Sequence, residues 1–338
     1  MMKTIIETLW QSLETGPAPA SGIVLRRFPA DFFPEINAAL RLPAGHPAFA
    51  IRLPDDSSPE TFITQNFRDL KISFPVSDPT LLLVELQNPA LREIFAILCD
   101  DLASHLKYED APAALSHEIR GRLYQWSLLF EKAAAPGLSP EEQRGLFGEL
   151  TFLKMLLENA PNPLPVLNGW LGPSGGIQDF FFADRAIEVK TTFANKHQTL
   201  VISNAAQLDD NGLAQLWLAH FALETSVSDA GKTLNEAVAE LLPLLGKEAG
   251  AVTRFRVKLA EAGYFDTHAG QYEQPAYQIR SEHFYEIKEE FPRIRVMELR
   301  PGIETLKYSI RVADCQPWQT DFLTIARNLP VLSHEPHH

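Results

Sequence analysis

The sequence predicts a mixed α/β fold, with a mixed β-sheet flanked by helices at its centre. Three observations support this prediction. Short strand-like runs separated by proline, aspartate and serine clusters fill much of the first 87 residues, and helical periodicity replaces them between residues 88 and 133. The middle of the chain then runs in the order helix, strand, strand, strand, helix, strand, which is typical of helices layered on a sheet.

The N-terminal elements are a short amphipathic helix and a small antiparallel sheet. The opening "MMKTIIETLWQSLETG" has one lysine followed by acidic residues and lacks an uninterrupted apolar segment, so we do not expect a secretory signal. Turn-forming clusters delimit the predicted strands, which lie at 22–28, 48–53, 70–76 and 81–87. Apolar periodicity predicts helices at 88–107 and 114–133.

The central elements begin with a clearly marked helix. Ser139 supplies an N-cap, Pro140 suits the first turn and Glu142 completes a capping box, so we predict a helix that ends at about Glu158. A strand pair follows in "GGIQDFFFADRAIEVKTT", residues 175–192. The remaining central elements are a strand at 199–203, a helix around "NAAQLDD" and a strand at 213–223.

The C-terminal region mixes helices and strands. Helical patterns at 232–245 and 251–263 precede the β-rich segments "AYQIRSEHFYEIKEEFPRIRV" and "GIETLKYSIRVAD". A helix pair followed by strands is also the order of a winged-helix module, in which Arg254, Arg256 and Lys258 would form a modest basic face. An ordinary helix pair is the alternative.

Length and composition allow two or three domains, because 338 residues with 45% hydrophobic content can bury a large core. We expect a β-rich N-terminal region over residues 1–135, an α/β core over 136–225 and a mixed α/β region over 226–338. No stretch has the length and apolarity of a membrane-spanning helix, so no membrane partner is expected. The two cysteines, Cys99 and Cys315, form no metal motif and indicate reduced thiols in a cytoplasmic protein.

The net charge of −13 limits how the chain could bind nucleic acid. A protein that binds nucleic acid by electrostatics alone is expected to be basic. Either nucleic acid is not the substrate, or the contact is confined to a local basic patch, a metal site or a partner protein.

The strand pair carries charged residues inside an apolar run. Asp179, Glu188 and Lys190 stand among aromatic and β-branched residues, and burying a charge is costly unless it is paired or bound to a metal. Alternation places Glu188 and Lys190 on one face of their strand. If Ala183 and Asp184 form a two-residue hairpin loop, Asp179 lies directly opposite Glu188. A longer loop would shift this register and could still leave the two acids adjacent.

Two opposed carboxylates point to a bound cation. The β-carbons of two directly opposed residues are about 5 Å apart. Two carboxylates at that distance repel each other unless a cation lies between them or one of them is protonated. A hard divalent cation held by carboxylate and main-chain oxygens would relieve the repulsion. A metal with an adjacent lysine suits phosphodiester hydrolysis, because the cation polarises the phosphate and lowers the pKa of a bound water. The lysine can stabilise the developing charge or orient the attacking water.

A third acid is available on the predicted helix. Glu149 lies on the inward flank of the helix, where it could reach a site on the neighbouring sheet. Gly145 and Gly148 beside it would permit close approach of the helix and the strand.

The spacing of these residues resembles the PD-(D/E)XK nuclease superfamily, which includes many restriction, recombination and repair nucleases. From about residue 20 to 322 the chain resembles a family of uncharacterised bacterial proteins assigned to that superfamily, and the likeness is sharpest between 145 and 208. The segments that carry it are "GLFGEL", "GGIQDF", "EVKTT", "ISNAAQL", "YEIKEEFPRI" and "LKYSIRV". The resemblance implies a restriction-endonuclease-like core and an association with restriction and phage-defence genes.

Carried over residue by residue, the resemblance implies a metal site and a catalytic lysine. Asp179 and Glu188 would bind the metal, and the Val189 carbonyl would add an oxygen ligand. Lys190 would be the catalytic lysine. Glu149 would help to hold the metal directly or through water.

Two positions near these residues complete the comparison with the motif. Gln207 matches a polar position that often supports such sites. Gln178 stands before Asp179, where the name of the motif has proline, and many members of the superfamily lack that proline.

Each residue also has an ordinary structural interpretation. Glu188 and Lys190 could belong to a solvated strand face or form an ion pair of little value, and Asp179 could close a turn. Glu149 could be one polar residue of an amphipathic helix. We favour the functional interpretation because the four residues occur together and in order.

Several neighbouring residues are weaker candidates. Thr191 and Thr192 could contact phosphate, although threonine is also common in strands. Trp170 could shape a loop that faces the substrate, and His197 could touch the substrate. Gln207 could simply belong to an ordinary helix end.

The sequence therefore predicts a Mg²⁺- or Mn²⁺-dependent endonuclease that hydrolyses DNA in a bacterial restriction or phage-defence system. DNA, other restriction or defence proteins and a second copy of the chain are the candidate partners. The alternative is a catalytically inactive subunit with a nuclease fold that contacts DNA or helps to assemble a defence complex. RNA or a nucleotide would use the same metal chemistry.

Overall fold

The computed structural model describes residues 4–28, 35–53, 69–106, 112–193, 198–226, 231–246 and 249–332. The chain divides into two compact units, one of residues 1–137 with 265–267 and one of residues 138–264 with 268–338. Helices and sheets occur in both units, so the mixed α/β class is confirmed. The separation of residues 136–225 from 226–338 stays a prediction. Every described helix is too short or too polar to cross a bilayer.

An antiparallel sheet forms the centre of the first unit, as the turn-delimited pattern predicts. Its strands are β1 (Gly22–Arg27), β2 (Ile36–Leu42), β3 (His46–Arg52), β4 (Leu70–Ser73) and β5 (Leu81–Leu86), in the order β1-β2-β3-β5-β4. The prediction missed β2, "INAALRL", because alanine and asparagine are poor strand formers and five consecutive buried residues show no alternation. Strand β4 ends earlier than predicted, before Pro75.

Within the described ranges of this unit, three α-helices accompany the sheet. They are α1 (Ile5–Thr15), α2 (Arg92–Leu106) and α3 (Pro112–Ala133). The apolar side of α1 buries Trp10, whose ring stacks on Phe95 with the centroids 5.3 Å apart. The Trp10 indole N–H donates to the Ala48 carbonyl at 2.9 Å, so the buried polar atom is satisfied. The amphipathic helix predicted at the N-terminus therefore covers the sheet.

A mixed sheet forms the centre of the second unit. The strands of this unit are β6 (Phe180–Phe182), β7 (Arg185–Phe193), β8 (Thr199–Ile202), β9 (Gln215–Ser226), β10 (Ala276–Glu286), β11 (Tyr308–Arg311) and β12 (Gln319–Thr320). Five of them form one sheet in the order β12-β10-β9-β7-β6, in which β7 and β9 run parallel and the other neighbours antiparallel. Strands β8 and β11 form a separate antiparallel ribbon.

Helix α4 lies against strand β7. The helices of this unit are α4 (Pro140–Asn159), α5 (Pro163–Gly169), α6 (Leu234–Leu241), α7 (Ala249–Ala262) and α8 (Phe322–Asn328). Helix α4 starts with the predicted capping box of Ser139 and Glu142. A β-carbon on Gly148 would lie 2.3 Å from Cγ2 of Thr191, so the glycine permits the close approach, as predicted. The same prediction for Gly145 is wrong, because nothing lies within 4 Å of its β-carbon position.

The residues of β7 divide between two hydrophobic cores. Ile187 and Val189 pack in the core that contains α4, whereas Ala186 packs in a second core with Leu200 of β8 and Leu218 of β9. Side chains alternate along a strand, so Glu188 and Lys190 lie on the face of Ala186. Glu188 and Lys190 therefore project from the sheet into the space between the sheet and the ribbon of β8 and β11.

The winged-helix interpretation of the C-terminal region is wrong, and the helix predicted around "NAAQLDD" in the central region is only one turn long. Helices α6 and α7 do not form a separate winged-helix module, because Val238 and Phe255 are buried in the same core as α4. The proposed basic face is not exposed either, since Arg256 and Lys258 are buried. The segment "NAAQLDD" contains one turn of 3₁₀-helix, Ala205–Leu208, rather than an α-helix.

Candidate functional site

The β6–β7 hairpin brings Asp179 beside Glu188. Phe182 pairs with Arg185, which leaves the predicted two-residue loop, and Ala183 in that loop has a φ of 59°. The predicted register is therefore confirmed. Asp179 directly precedes β6, at the position that continues the register to Glu188.

A main-chain hydrogen bond fixes Asp179 to the edge of β7. Oδ2 of Asp179 accepts from the N–H of Val189 at 2.7 Å. The pairing between β6 and β7 ends at Phe180 and Ile187, so Val189 lies just past the hairpin. The N–H and C=O groups of a strand residue point to the same side of the strand. The Val189 carbonyl therefore faces the edge on which Asp179 lies, which fits its predicted use as an oxygen ligand.

Glu188 is a buried carboxylate with an incomplete set of partners. It is 1% exposed, and its Oε1 lies 2.6 Å from Nζ of Lys190. The main-chain N–H of Asp179 is its second donor, so the two oxygens still accept fewer hydrogen bonds than a carboxylate can. Burial and the nearby Asp179 raise the pKa of Glu188 to about 8, although Lys190 opposes the shift. A solvated strand face, the ordinary interpretation of E-x-K, is therefore excluded.

The ammonium group of Lys190 contacts both Glu188 and Gln207. Burial would lower the pKa of Lys190, but the carboxylates of Glu188, Asp179 and Glu149 outweigh it, so the pKa is raised. Its Nζ lies 3.3 Å from Oε1 of Gln207. Lys190 is thus held as an ammonium group inside the site, and the predicted supporting glutamine contacts it directly.

The loop before Asp179 anchors the turn that carries Gln207. Nε2 of Gln178 donates to the Ala206 carbonyl at 2.9 Å, and the N–H of Ser203 donates to Oε1 of Gln207 at 3.0 Å. The residue that replaces the proline of the motif therefore has a structural contact of its own.

Glu149 reaches the site from α4, and Trp170 orients it. The indole N–H of Trp170 donates to Oε2 of Glu149 at 2.7 Å. Burial and then the charge of Asp179 raise the pKa of Glu149 well above its usual range, against this hydrogen bond. Trp170 is fully buried, so it acts on the site through its contact with Glu149 and not as an exposed ring. The sequence gives no sign that Trp170 and Glu149 are partners, because the contact is tertiary.

Gly172 lies where two of the carboxylates meet. A β-carbon at this position would lie 2.5 Å from Oε2 of Glu149 and 2.9 Å from Oδ1 of Asp179. The side chains of both acids therefore converge over the glycine main chain. Burial raises the pKa of Asp179, although Lys190 and the Val189 N–H lower it. The glycine-rich stretch "GPSGG", residues 172–176, is the sequence feature from which this contact could have been found.

The charged residues open into a cavity of about 470 Å³. Its walls come from α4, the end of β7, strand β8 and the turn with Gln207, and they include Thr191 and Thr192. Oγ1 of Thr192 lies 2.8 Å from Nε2 of the buried His220. His197 lies outside the described residues. The cavity brings together Glu149, Asp179, Glu188, Val189, Lys190 and Gln207.

The chemistry of these groups fits a hard divalent cation. The two donors to Glu188 leave acceptor positions on its carboxylate unused, and Asp179 raises the pKa of both Glu149 and Glu188, as expected where a positive charge would be stabilising. In the described ranges, no three Asp, Glu, His or Cys side chains are already arranged to hold a metal ion. The Val189 carbonyl would have to complete the ligand set, together with a small adjustment of the carboxylates.

Comparison with known proteins identifies the family. No curated protein and no solved structure matches the chain. Residues 6–313 match the family described as "Putative PD-(D/E)XK family member, (DUF4420)". The matched range covers most of both units and contains all six residues predicted to form the site. The chain therefore belongs to this family.

Proposed function

We propose that the protein is a divalent-metal-dependent endonuclease that hydrolyses DNA phosphodiester bonds in a bacterial restriction or phage-defence system. The observation that carries the proposal is the contact between the buried Glu188 and Lys190 at the same open strand edge as Asp179. A scaffold has no need to bury acids that repel one another, whereas a metal-dependent site requires them. The family membership supports nuclease-like chemistry in general.

Asp179, Glu188 and the Val189 carbonyl would hold Mg²⁺ or Mn²⁺, and Glu149 would contact the ion directly or through water. When bound, the ion polarises the scissile phosphate and lowers the pKa of a water molecule. Trp170 restricts the carboxylate of Glu149 through its indole N–H, so the acid keeps one orientation.

Lys190 stabilises negative charge on the phosphate. Its raised pKa keeps the amine protonated near neutral pH, so it acts as a cation rather than as the base that takes a proton from water. Gln207 and Glu188 contact the ammonium group on different sides and position it. Gln207 is thus proposed to position Lys190 rather than to contact the substrate.

A plasmid assay tests this function. Wild-type protein with Mg²⁺ or Mn²⁺ is expected to nick supercoiled DNA, and Lys190→Ala is expected to lower the rate by about 10²- to 10³-fold, as does loss of a donor that stabilises developing charge. Asp179→Ala should abolish cleavage. Equal nicking by the wild type and both variants would show that a contaminant cuts the plasmid.

The alternative function is a catalytically inactive subunit that contacts DNA or supports assembly of a defence complex. The net charge of −13 favours it, because a nuclease must approach a polyanion. Calorimetry with Mn²⁺ separates the two functions. The inactive subunit should show no binding that depends on Asp179 and Glu188, whereas the nuclease should bind Mn²⁺ through both.

A further inference from the structure

We propose that the site takes nucleic acid as an unpaired single strand, with one base stacked on Phe193 and the backbone held by Arg144 and Arg311. This inference rests on the proposed function, because it names the form of the substrate that the same cavity accepts.

Phe193 is an exposed aromatic ring in the wall of a charged cavity. It is the last residue of β7, it is 44% exposed, and it lines the cavity together with the acids. Three residues along a strand span about 10 Å, and alternation directs Phe193 to the face of β7 that packs on α4, opposite to the face of Lys190. An exposed aromatic beside a phosphate-cutting site is the arrangement on which single-stranded bases stack.

Arg144, a residue of α4, contacts the same ring and extends the stacking surface that Phe193 provides. Its guanidinium carbon lies 4.7 Å from the centroid of the Phe193 ring. No carboxylate among the described residues forms an ion pair with Arg144, and its buried Nε has no hydrogen-bond partner there. A guanidinium over an aromatic ring still directs its N–H groups outward in its own plane, where they can bind phosphate.

The ribbon of β8 and β11 forms a second wall. Thr199 and Val201 of β8 line the cavity, and Val201 is 41% exposed. They pair with Arg311 and Ser309 of β11, and directly opposed residues of an antiparallel pair project from the same face. The Arg311 side chain is 78% exposed and its Nε contacts Asp314 at 2.7 Å, so its remaining guanidinium N–H groups extend the face that continues the cavity wall. A chain of net charge −13 thus has cations on both sides of the acids.

The ring distinguishes a single strand from a duplex. In a duplex each base is covered by its neighbours on both faces, and exposing one requires unstacking and unpairing. A single strand offers its bases without that cost. An exposed stacking surface at Phe193 therefore favours unpaired nucleic acid. A site for an intact duplex would need contacts with phosphates alone.

Fluorescence anisotropy with a labelled 12-nucleotide single strand and the matching duplex, in Ca²⁺, tests the proposal. The single strand should bind at least about 10-fold more tightly. Phe193→Ala should weaken its binding by roughly 5- to 150-fold, the range for loss of one base–aromatic stack, while Phe193→Trp should keep it. Phe181→Ala is the matched control, since Phe181 is a 37% exposed phenylalanine of β6 outside the cavity lining.

A 2-aminopurine base in the same strand gives a direct readout of stacking. Its fluorescence should be quenched by the wild type and by Phe181→Ala, and should recover in Phe193→Ala. Arg144→Gln should weaken single-strand binding and make it less dependent on salt, because one phosphate contact is lost.

The outcomes separate this inference from the proposed nuclease activity. Equal affinity for single strand and duplex, unaffected by Phe193→Ala, overturns the inference, and plasmid nicking that depends on Lys190 would then still support the nuclease. If Phe193→Ala loses single-strand binding and the wild type cleaves no DNA in Mn²⁺, the result supports the proposed single-strand binding surface and contradicts the proposed nuclease activity. Failure of both oligonucleotides to bind the wild type also overturns the inference.

Discussion

The main-chain N–H of Val189 donates a 2.7 Å hydrogen bond to Oδ2 of Asp179. This contact joins the residue before one strand to the middle of the next and holds an acid at the edge where the Glu188–Lys190 pair is buried. The bond uses one oxygen of Asp179, while Oδ1 faces Gly172 and Glu149. Asp179 can therefore be held in place by the main chain and still present an oxygen to a cation.

Replacement of the Asp179 charge should weaken metal binding without removing the main-chain contact. Asp179→Asn keeps an oxygen acceptor for the Val189 N–H but loses the negative charge. We expect calorimetry to show Mn²⁺ affinity lowered by about 10- to 100-fold or more, the range for groups that support a metal site. Asp184→Asn, an exposed acid of the same hairpin, is the control and should bind as the wild type does. Unchanged affinity in Asp179→Asn would exclude it as a ligand.

The raised pKa of Glu188 predicts a pH-dependent loss of stability in the metal-free protein. Its pKa rises from an ordinary 4.5 to about 8, so between these values the folded state holds a proton that the unfolded state has released. The stabilising contribution is complete below pH 4.5 and declines as the pH rises through 8. Urea unfolding should show this decline in the wild type.

Glu188→Gln is the matched variant for the pH experiment. The amide cannot ionise, so the decline between pH 4.5 and 8 should be shallower in the variant. Added Mn²⁺ should restore stability at pH 8 in the wild type and have a much smaller effect in Glu188→Gln. Identical pH dependence in the two proteins would contradict the assignment of a buried, proton-binding Glu188.

Trp170→Phe tests how Glu149 is oriented. The variant keeps an aromatic ring but removes the indole N–H that donates to Glu149. Loss of this hydrogen bond should lower the free energy of unfolding by about 1–3 kcal/mol, since a buried acceptor is left without its donor. Mn²⁺ affinity should fall as well. Trp217→Phe is the control, because Trp217 of β9 is a buried tryptophan of the same hydrophobic core. This variant should alter stability alone. Loss of metal affinity in both variants would indicate a general effect of core packing.

Two glycines of α4 should respond in opposite directions to the same substitution. Gly148→Ala places a methyl group 2.3 Å from Thr191 Cγ2, so it should destabilise the fold by about 1–3 kcal/mol. Gly145→Ala meets nothing within 4 Å and should stabilise the helix by about 0.5–1 kcal/mol. Thermal unfolding measures both. Similar melting temperatures for the two variants would show that α4 does not pack closely on β7.

Local patterns were enough to predict the hairpin and the start of α4. The register followed from the two-residue loop at Ala183 and Asp184, because a loop of that length leaves one pairing for the flanking strands. The capping box followed from Ser139 and Glu142, whose side chains act within one turn. Both features depend on residues close together in the chain.

Contacts between distant segments could not be predicted in the same way. Nothing in the sequence pairs Trp170 with Glu149 or places Gln178 on the Ala206 carbonyl, because these contacts exist after the sheet, α4 and the 3₁₀ turn have packed together. Basic residues of α7 looked like a solvent-exposed face because their burial depends on the core that the helix joins. The functional importance of Asp179, Glu188 and Lys190 could be predicted, because burying three charged side chains in an apolar run is unfavourable unless they are paired or bind a metal.

The most direct measurement is a crystal structure of the protein with Mn²⁺, with anomalous data collected at the manganese edge. The account predicts one strong peak in contact with a carboxylate oxygen of Asp179, a carboxylate oxygen of Glu188 and the Val189 carbonyl, with Nζ of Lys190 nearby. A peak elsewhere, or no peak in a crystal that contains millimolar Mn²⁺, would contradict it.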